Sequence, residues 1–175
     1  VTRFAASSAL LAAAALSLTA CGGGGGGSVP VSAPRTTGVV AQDCTALSKT
    51  LPKTLMGLSR RDTSPASPNT AAWGDPAVTL RCGAGLPGII DPASKDYDPE
   101  GENVSGALVG SVCWVSVYNQ SDRSFTFSAA DQQAIVEVDV PSAYAGKQSP
   151  LTELSGIVAK ASPFDSDKKF NCSNS

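Results

Sequence analysis

The chain has 175 residues, with 13 basic and 15 acidic side chains and no histidine. That length suits one domain better than two. The slight negative charge excludes the concentrated positive field of a nucleic-acid binder, and the missing histidine removes the commonest general base and metal ligand together.

Arg3 is the only charged side chain before Arg35, and Phe4 to Leu18 is apolar apart from three serines. This run is too short for a transmembrane helix. A basic start, a short apolar centre and small residues at its end are the parts of a secretory signal. Leu18-Thr19-Ala20-Cys21 resembles the bacterial lipobox. The resemblance implies cleavage before Cys21 and lipid on its sulfur, with each buried methylene contributing about 0.8 kcal/mol to membrane anchorage. Residues 1–20 are therefore expected to be a lipoprotein signal peptide, and the mature chain to be held on the extracytoplasmic face of the cell membrane. Without Arg3, 12 basic side chains face 15 acidic ones, a formal charge of −3.

Six glycines, Gly22 to Gly27, follow the cysteine. A phosphate-binding loop would need spaced glycines followed by a Lys and then a Ser or Thr; here the glycines are contiguous and no Lys follows them before Lys49. Residues 21–38 are expected to form a flexible Gly/Pro/Ser tether. Residues 39–175 are expected to form a single α+β domain, a small antiparallel or mixed sheet with two or three short helices.

Cys44, Cys82, Cys113 and Cys172 remain. Outside the cytoplasm an even number favours two disulfides. Wide spacing without Cys-x-x-Cys argues against a zinc knuckle or redox centre. Of the three possible pairings, the preferred one joins Cys82 to Cys113 across neighbouring strands and Cys44 to Cys172 across the domain ends.

In chain order, Asp43 is positioned to cap a helix reaching Thr50. Leu47, Leu51, Leu55 and Leu58 recur at helical spacing, interrupted by Pro52, so a bend or a second short turn is expected to reach Leu58. Arg60 and Arg61 precede a polar loop, where an arginine pair either holds an anion or lies over carboxylates. Ala72 to Pro76 reads as a turn. Ala77 to Gly83 reads as a strand with Val78, Leu80 and Cys82 on one face and Thr79 and Arg81 on the other. Arg81 is a candidate ligand-binding residue, although pairing with an acidic residue is the preferred role. Asp96, Asp98 and Glu100 imitate the start of a calcium loop, but its twelfth position is Ala107 and no helices flank it. They are kept as possible ligand-binding residues on an exposed loop, with no metal site assigned. Ala107 to Asn119 reads as one central strand, apolar on both faces. Ser124 to Ser128 returns as its hairpin partner. Ala134 to Val140 reads as a strand whose Glu137 and Asp139 face solvent. Ser149 is a candidate cap for a helix beginning at Pro150 and ending near Ala161, with Leu151, Leu154, Ile157 and Val158 as its apolar stripe. Phe164 and Phe170 are possible anchors for the polar tail.

The Trp73-Gly74-Asp75-Pro76 segment, four further residues, Arg81-Cys82-Gly83 and a proline soon after resemble a family of actinobacterial secreted and lipid-anchored proteins of unknown function. The likeness runs roughly from Cys44 to Tyr144 and takes in the Leu51-Pro52 step, Trp114 and the Ile135 to Pro141 segment. It implies a single envelope domain and supplies no catalytic residues.

The expected function is that of a noncatalytic cell-envelope lipoprotein that binds or supports an envelope protein or cell-wall partner. Its contacts are the membrane through Cys21 and that partner, with no nucleic acid and no cofactor. One alternative is a small-ligand or cation-binding lipoprotein, favoured by a concave apolar pocket beside Arg81. The other is a cell-wall glycan hydrolase using two carboxylates, such as Asp75 with Glu137, held about 5–10 Å apart.

Overall fold

A computed structural model describes residues 1–2, 27–147, 149–168, 170 and 172. The rest of the expected signal peptide, Cys21 and Gly22 to Gly26 lie outside the described residues.

Alternating β-branched and aromatic residues build the centre of the domain. Among the described residues, eight strands form one antiparallel sheet. They are β2 (Thr54–Leu55), β3 (Leu58–Arg61), β5 (Thr70–Trp73), β6 (Val78–Cys82), β7 (Val104–Val109), β8 (Val112–Asn119), β9 (Ser124–Ala129) and β10 (Val136–Val140). Their spatial order is β2-β3-β5-β6-β10-β9-β8-β7. The sheet is larger than expected, because two segments read otherwise contribute hairpins. The first follows Pro52. Leu51 is extended, as a residue before proline must tend to be, so α1 (Gly38–Thr50) stops there. Leu55 and Leu58 then pair across a tight turn at Met56 and Gly57, both with positive φ, the geometry that two-residue hairpins favour. The four-residue leucine spacing therefore crosses from helix to hairpin. In the second, Gly110 has a φ of 64° and reverses the chain inside the run read as one strand, giving β7 and β8. Trp73 belongs to the end of β5, and the turn begins at Gly74.

α1 and α2 (Leu151–Ala161) cover one sheet face. Cys44 and Leu47 from α1 and Leu151, Leu154 and Val158 from α2 pack with Val78, Leu80, Val136, Val138, Trp73 and Trp114. Each indole is satisfied, as buried polar groups must be. Trp114 Nε1 donates to Ser155 Oγ at 2.8 Å, and Trp73 Nε1 donates to the Pro52 carbonyl at 3.0 Å. Asp43 is no cap: it lies inside α1 and is buried, and it accepts from Ser162 Oγ at 3.2 Å. The same Ser162 oxygen accepts from the Ala134 N–H at 2.7 Å, so one hydroxyl joins both helices to the approach of β10. Ser149 Oγ accepts from the Leu151 N–H at 3.3 Å at the start of α2.

The opposite face is covered by loops and chain ends. β1 (Val29–Pro30) pairs in parallel with β4 (Thr63–Ser64). Val29 and Val31 pack on Ala72 and Ala77, and Asn69 Nδ2 donates to the Pro34 carbonyl at 2.8 Å. Residues expected to belong to the tether are thus packed from Val29 onward. Towards the other edge, Leu86, Ile89, Ile90 and Phe170 cover Val104, Val115 and Ala130.

The disulfides of the described residues are Cys44–Cys82, with Cα atoms 5.5 Å apart, and Cys113–Cys172, at 5.6 Å. The preferred pairing was therefore incorrect. β9 and β10 lie between β6 and β8. Cys82 belongs to the helix-side core, whereas Cys113 alternates with Trp114 and points to the other face. Cys44–Cys82 ties α1 to the sheet, and Cys113–Cys172 ties the tail across the loop-covered face. In the chain-entropy account each bridge contributes about 4 kcal/mol.

Peptide mapping under non-reducing conditions should recover Cys44–Cys82 and Cys113–Cys172 peptides; a Cys82–Cys113 peptide would contradict the topology. Gly83 has a φ of 75°, and an added Cβ would run into the Thr36 side chain. Gly83→Ala should therefore lower stability by more than about 1 kcal/mol. Gly85→Ala meets nothing within 4 Å and should leave the unfolding midpoint nearly unchanged.

Candidate functional site

Between its two covers the loop-side face keeps an open polar strip. Antiparallel register sets it up: Arg81 on β6 lies opposite Glu137 on β10, and Thr79 lies opposite Asp139. On the next strand Thr126 lies opposite Asp139, and Ser128 opposite Glu137. Since alternate residues share a face, the valines of β10 enter the helix-side core while its two carboxylates line the strip.

Arg81 directs Nε and Nη2 at the same Glu137 oxygen, Oε1, with the Nε contact at 2.8 Å. The Glu137 side chain is 6% exposed and that of Arg81 34%. The expectation that Glu137 faces solvent was therefore incorrect. Its face is right, but the central position and the neighbouring loop bury it. A buried carboxylate needs such a partner, because desolvation penalises its charge. Burial pushes the Glu137 carboxyl above its ordinary range, the Arg81 hydrogen bond opposes that shift, and the negative charge of Asp139 reinforces it. Asp139 accepts from Thr126 Oγ1 at 2.7 Å and Thr79 Oγ1 at 3.5 Å, one on each oxygen.

Arg81, Glu137, Asp139 and Thr126 belong to an open groove of about 480 Å³, with Val117 and Pro87 as apolar parts of its lining. Asn103, Asn119 and Gln120 also line it. Gln120 Nε2 donates to Asn103 Oδ1 at 2.9 Å. Asn119 Oδ1 accepts from the Ser121 N–H and hydroxyl at 3.2 and 2.8 Å. The groove is concave, as a ligand site beside Arg81 requires, but polar rather than apolar.

The other candidates are arranged differently. Asp75 lies in the turn before β6 and is 3.7 Å from Arg61, with an 83% exposed side chain. Three strand residues, roughly 10 Å, separate Val78 from Arg81, so Asp75 lies beyond the opposite end of β6 from Glu137. The two do not share a site. Arg60 and Arg61 end β3, and the connection from Asp62 to Asn69, which holds only the two-residue β4, follows them. Arg60 lies over the Trp73 ring at 4.9 Å, whereas Arg61 donates to the Gly74 carbonyl at 2.9 Å. Asp96, Asp98 and Glu100 occupy the exposed segment before β7, where Asp96 pairs with Lys95 at 3.0 Å. Among the described residues no group of three Cys, Asp or Glu is placed to hold a metal ion. Glu100 instead borders a second hollow of about 870 Å³, with Tyr97, Ile90 and Phe170. The partners of Arg81 and Asp139 were not identified by sequence reasoning. The available signal was a charge set between core residues on two strands, Leu80 and Cys82 about Arg81 and Val136 and Val138 about Glu137, which is where an internal ion pair belongs.

The Glu137 environment gives a pH-dependent outcome. The folded chain holds this proton more tightly than the unfolded chain, so the associated stability is complete below about pH 4.3. It fades as pH rises through the raised folded value. The stability of the wild type relative to Glu137→Gln should therefore fall across that window in chemical unfolding. In Arg81→Met the opposing hydrogen bond is lost. The Glu137 carboxyl carbon should then titrate at higher pH by NMR, and neutral-pH stability should drop by at least about 2 kcal/mol. An unchanged titration would contradict the pairing.

No curated protein and no solved structure matches the chain. A model for a family of proteins of unknown function, DUF3515, matches residues 3–166. With most of its length within that match, the chain belongs to the DUF3515 family.

Proposed function

We propose that the protein is a noncatalytic lipoprotein of the actinobacterial cell envelope, anchored through lipid on Cys21, that binds an envelope component in the groove beside Arg81. The observation carrying the binding role is the groove itself. It is an open polar strip on the central strands, set between the two clusters in which loops and chain ends pack on that face. A noncatalytic role is supported by the state of its carboxylates. Glu137 Oε1 is engaged by Arg81, and each Asp139 oxygen accepts a threonine hydroxyl. Asp75, beyond the opposite end of β6, gives no support to the Asp75–Glu137 arrangement considered for glycan cleavage. The signal-like start and the lipobox-like tetrapeptide support the envelope placement, and the absence of histidine supports the noncatalytic reading. The Trp73–Pro76 and Arg81–Gly83 segments support the actinobacterial assignment.

Metabolic labelling with a palmitate analogue should mark the wild type and not Cys21→Ser; labelling retained by the variant would refute the anchor. A photo-crosslinking residue at Gln120, on the groove, should capture an envelope component in intact cells. The same residue at Asp75 should not. Equal capture from both positions would refute the groove as the binding site.

A further inference from the structure

We propose that the groove takes a neutral, hydroxyl-rich saccharide segment; this rests on the reading of the groove as the binding site and names its ligand class. The charges come first. Arg81 and Glu137 neutralise each other across β6 and β10, and Asp139 leaves one negative charge in the groove. That balance repels phosphate and carboxylate ligands, and the arginine that would attract them is already engaged. A hard cation of the calcium type needs six to eight oxygens, and the groove offers two carboxylates, one of them engaged by arginine. A purely apolar ligand would strip water from every polar group in the lining without replacing its hydrogen bonds.

The remaining hydrogen-bonding capacity is mixed. The Asn103 and Asn119 carbonyl oxygens are taken by Gln120 and Ser121, which leaves the Nδ2 donors of both asparagines for a ligand. The Gln120 amide nitrogen is used, which leaves its carbonyl oxygen as an acceptor. A carboxylate offers about four lone-pair sites. Each Asp139 oxygen accepts one threonine hydroxyl, so acceptor capacity remains there too. Sugar hydroxyls donate and accept at once, and therefore answer both halves of this inventory. Sugar rings also carry C–H faces, which suit Val117 and Pro87 in the lining. Asp139 is fixed on a central strand by two partners, so it can receive a hydroxyl without first being ordered. A groove of about 480 Å³ lies within the size range of small-molecule sites, about 300–1,000 Å³.

The test is an NMR titration of the full chain, disulfides intact. The probes are neutral tetrasaccharides of glucose, mannose, arabinose and N-acetylglucosamine, with inorganic phosphate, spermidine and calcium chloride in separate arms. At least one saccharide should shift the side-chain amide signals of Asn103, Asn119 and Gln120. Asp139→Asn keeps the side-chain shape and should weaken that binding at least tenfold. Asn119→Ala, at the end of β8, gives an independent reading and should weaken it threefold or more, with the unfolding midpoint lowered only by the loss of its two exposed turn hydrogen bonds to Ser121. Groove shifts caused by phosphate, spermidine or calcium, with none from the saccharides, would overturn the ligand class and leave the groove as a binding site. Saccharide shifts that survive both substitutions would overturn the groove assignment. So would silence at the groove in every arm alongside crosslinking to an envelope component elsewhere on the surface.

Discussion

A wide sheet has two faces to cover, and the α-helices among the described residues cover only one of them. The rest of the structure follows from that shortage. Exposed valines on the second face would cost stability, since each buried aliphatic side chain is worth about 1.5–3 kcal/mol. Loops and chain ends take the place of a second helical layer: β1 and Val31 on one side, the Leu86 to Ile90 segment and Phe170 on the other. Such segments have little secondary structure to hold them in place. The Cys113–Cys172 bridge compensates by fixing the tail to β8, and the β1–β4 pairing fixes the N-terminal segment. The two bridges serve different layers, because Cys44–Cys82 secures the helical side.

Where the two covers fail to meet, the sheet has to be polar, and β6, β9 and β10 supply Arg81, Thr126, Glu137 and Asp139 at that point. The gap is neither fully wet nor fully dry. Glu137 is almost completely buried, whereas a third of Arg81 remains exposed. An ion pair in this position contributes little net stability, because its desolvation offsets much of its attraction. Its effect is on register. Sliding β10 by one residue would bring the carboxylates into the valine core and the valines into the groove, so the pair disfavours that alternative strongly.

The parts of the fold legible in the sequence are those written over short distances. β6, β9, β10 and α2 lie close to where alternation or three-four spacing places them. The missed hairpins have local causes. At Met56-Gly57 the leucine spacing is compatible with a helix, and only the proline and glycine reveal the reversal. In Ala107 to Asn119 both faces are apolar, so Gly110 could pass as part of a continuous strand. The groove and the cystine pairing were not legible for another reason. They depend on β10 inserting between β6 and β9, more than fifty residues from β6 in the chain. No local pattern encodes that order. Arg81 could be recognised as a residue with an acidic partner, but not as the partner of Glu137. Asp43 shows the same limit, because its reason for burial is Ser162 on the far side of the chain.

The pairing of β1 with β4 also sets a working distance. Under the proposed anchorage at Cys21, a tether ending near residue 38 would let the domain stand up to roughly 60 Å from the bilayer at about 3.5 Å per residue. The packed chain begins at Val29, which shortens that limit to roughly 28 Å. Under that proposal, the domain would sample a thin shell above the lipid headgroups. Components more distant than this shell and the domain's own width would be out of its range, whatever their affinity for the groove.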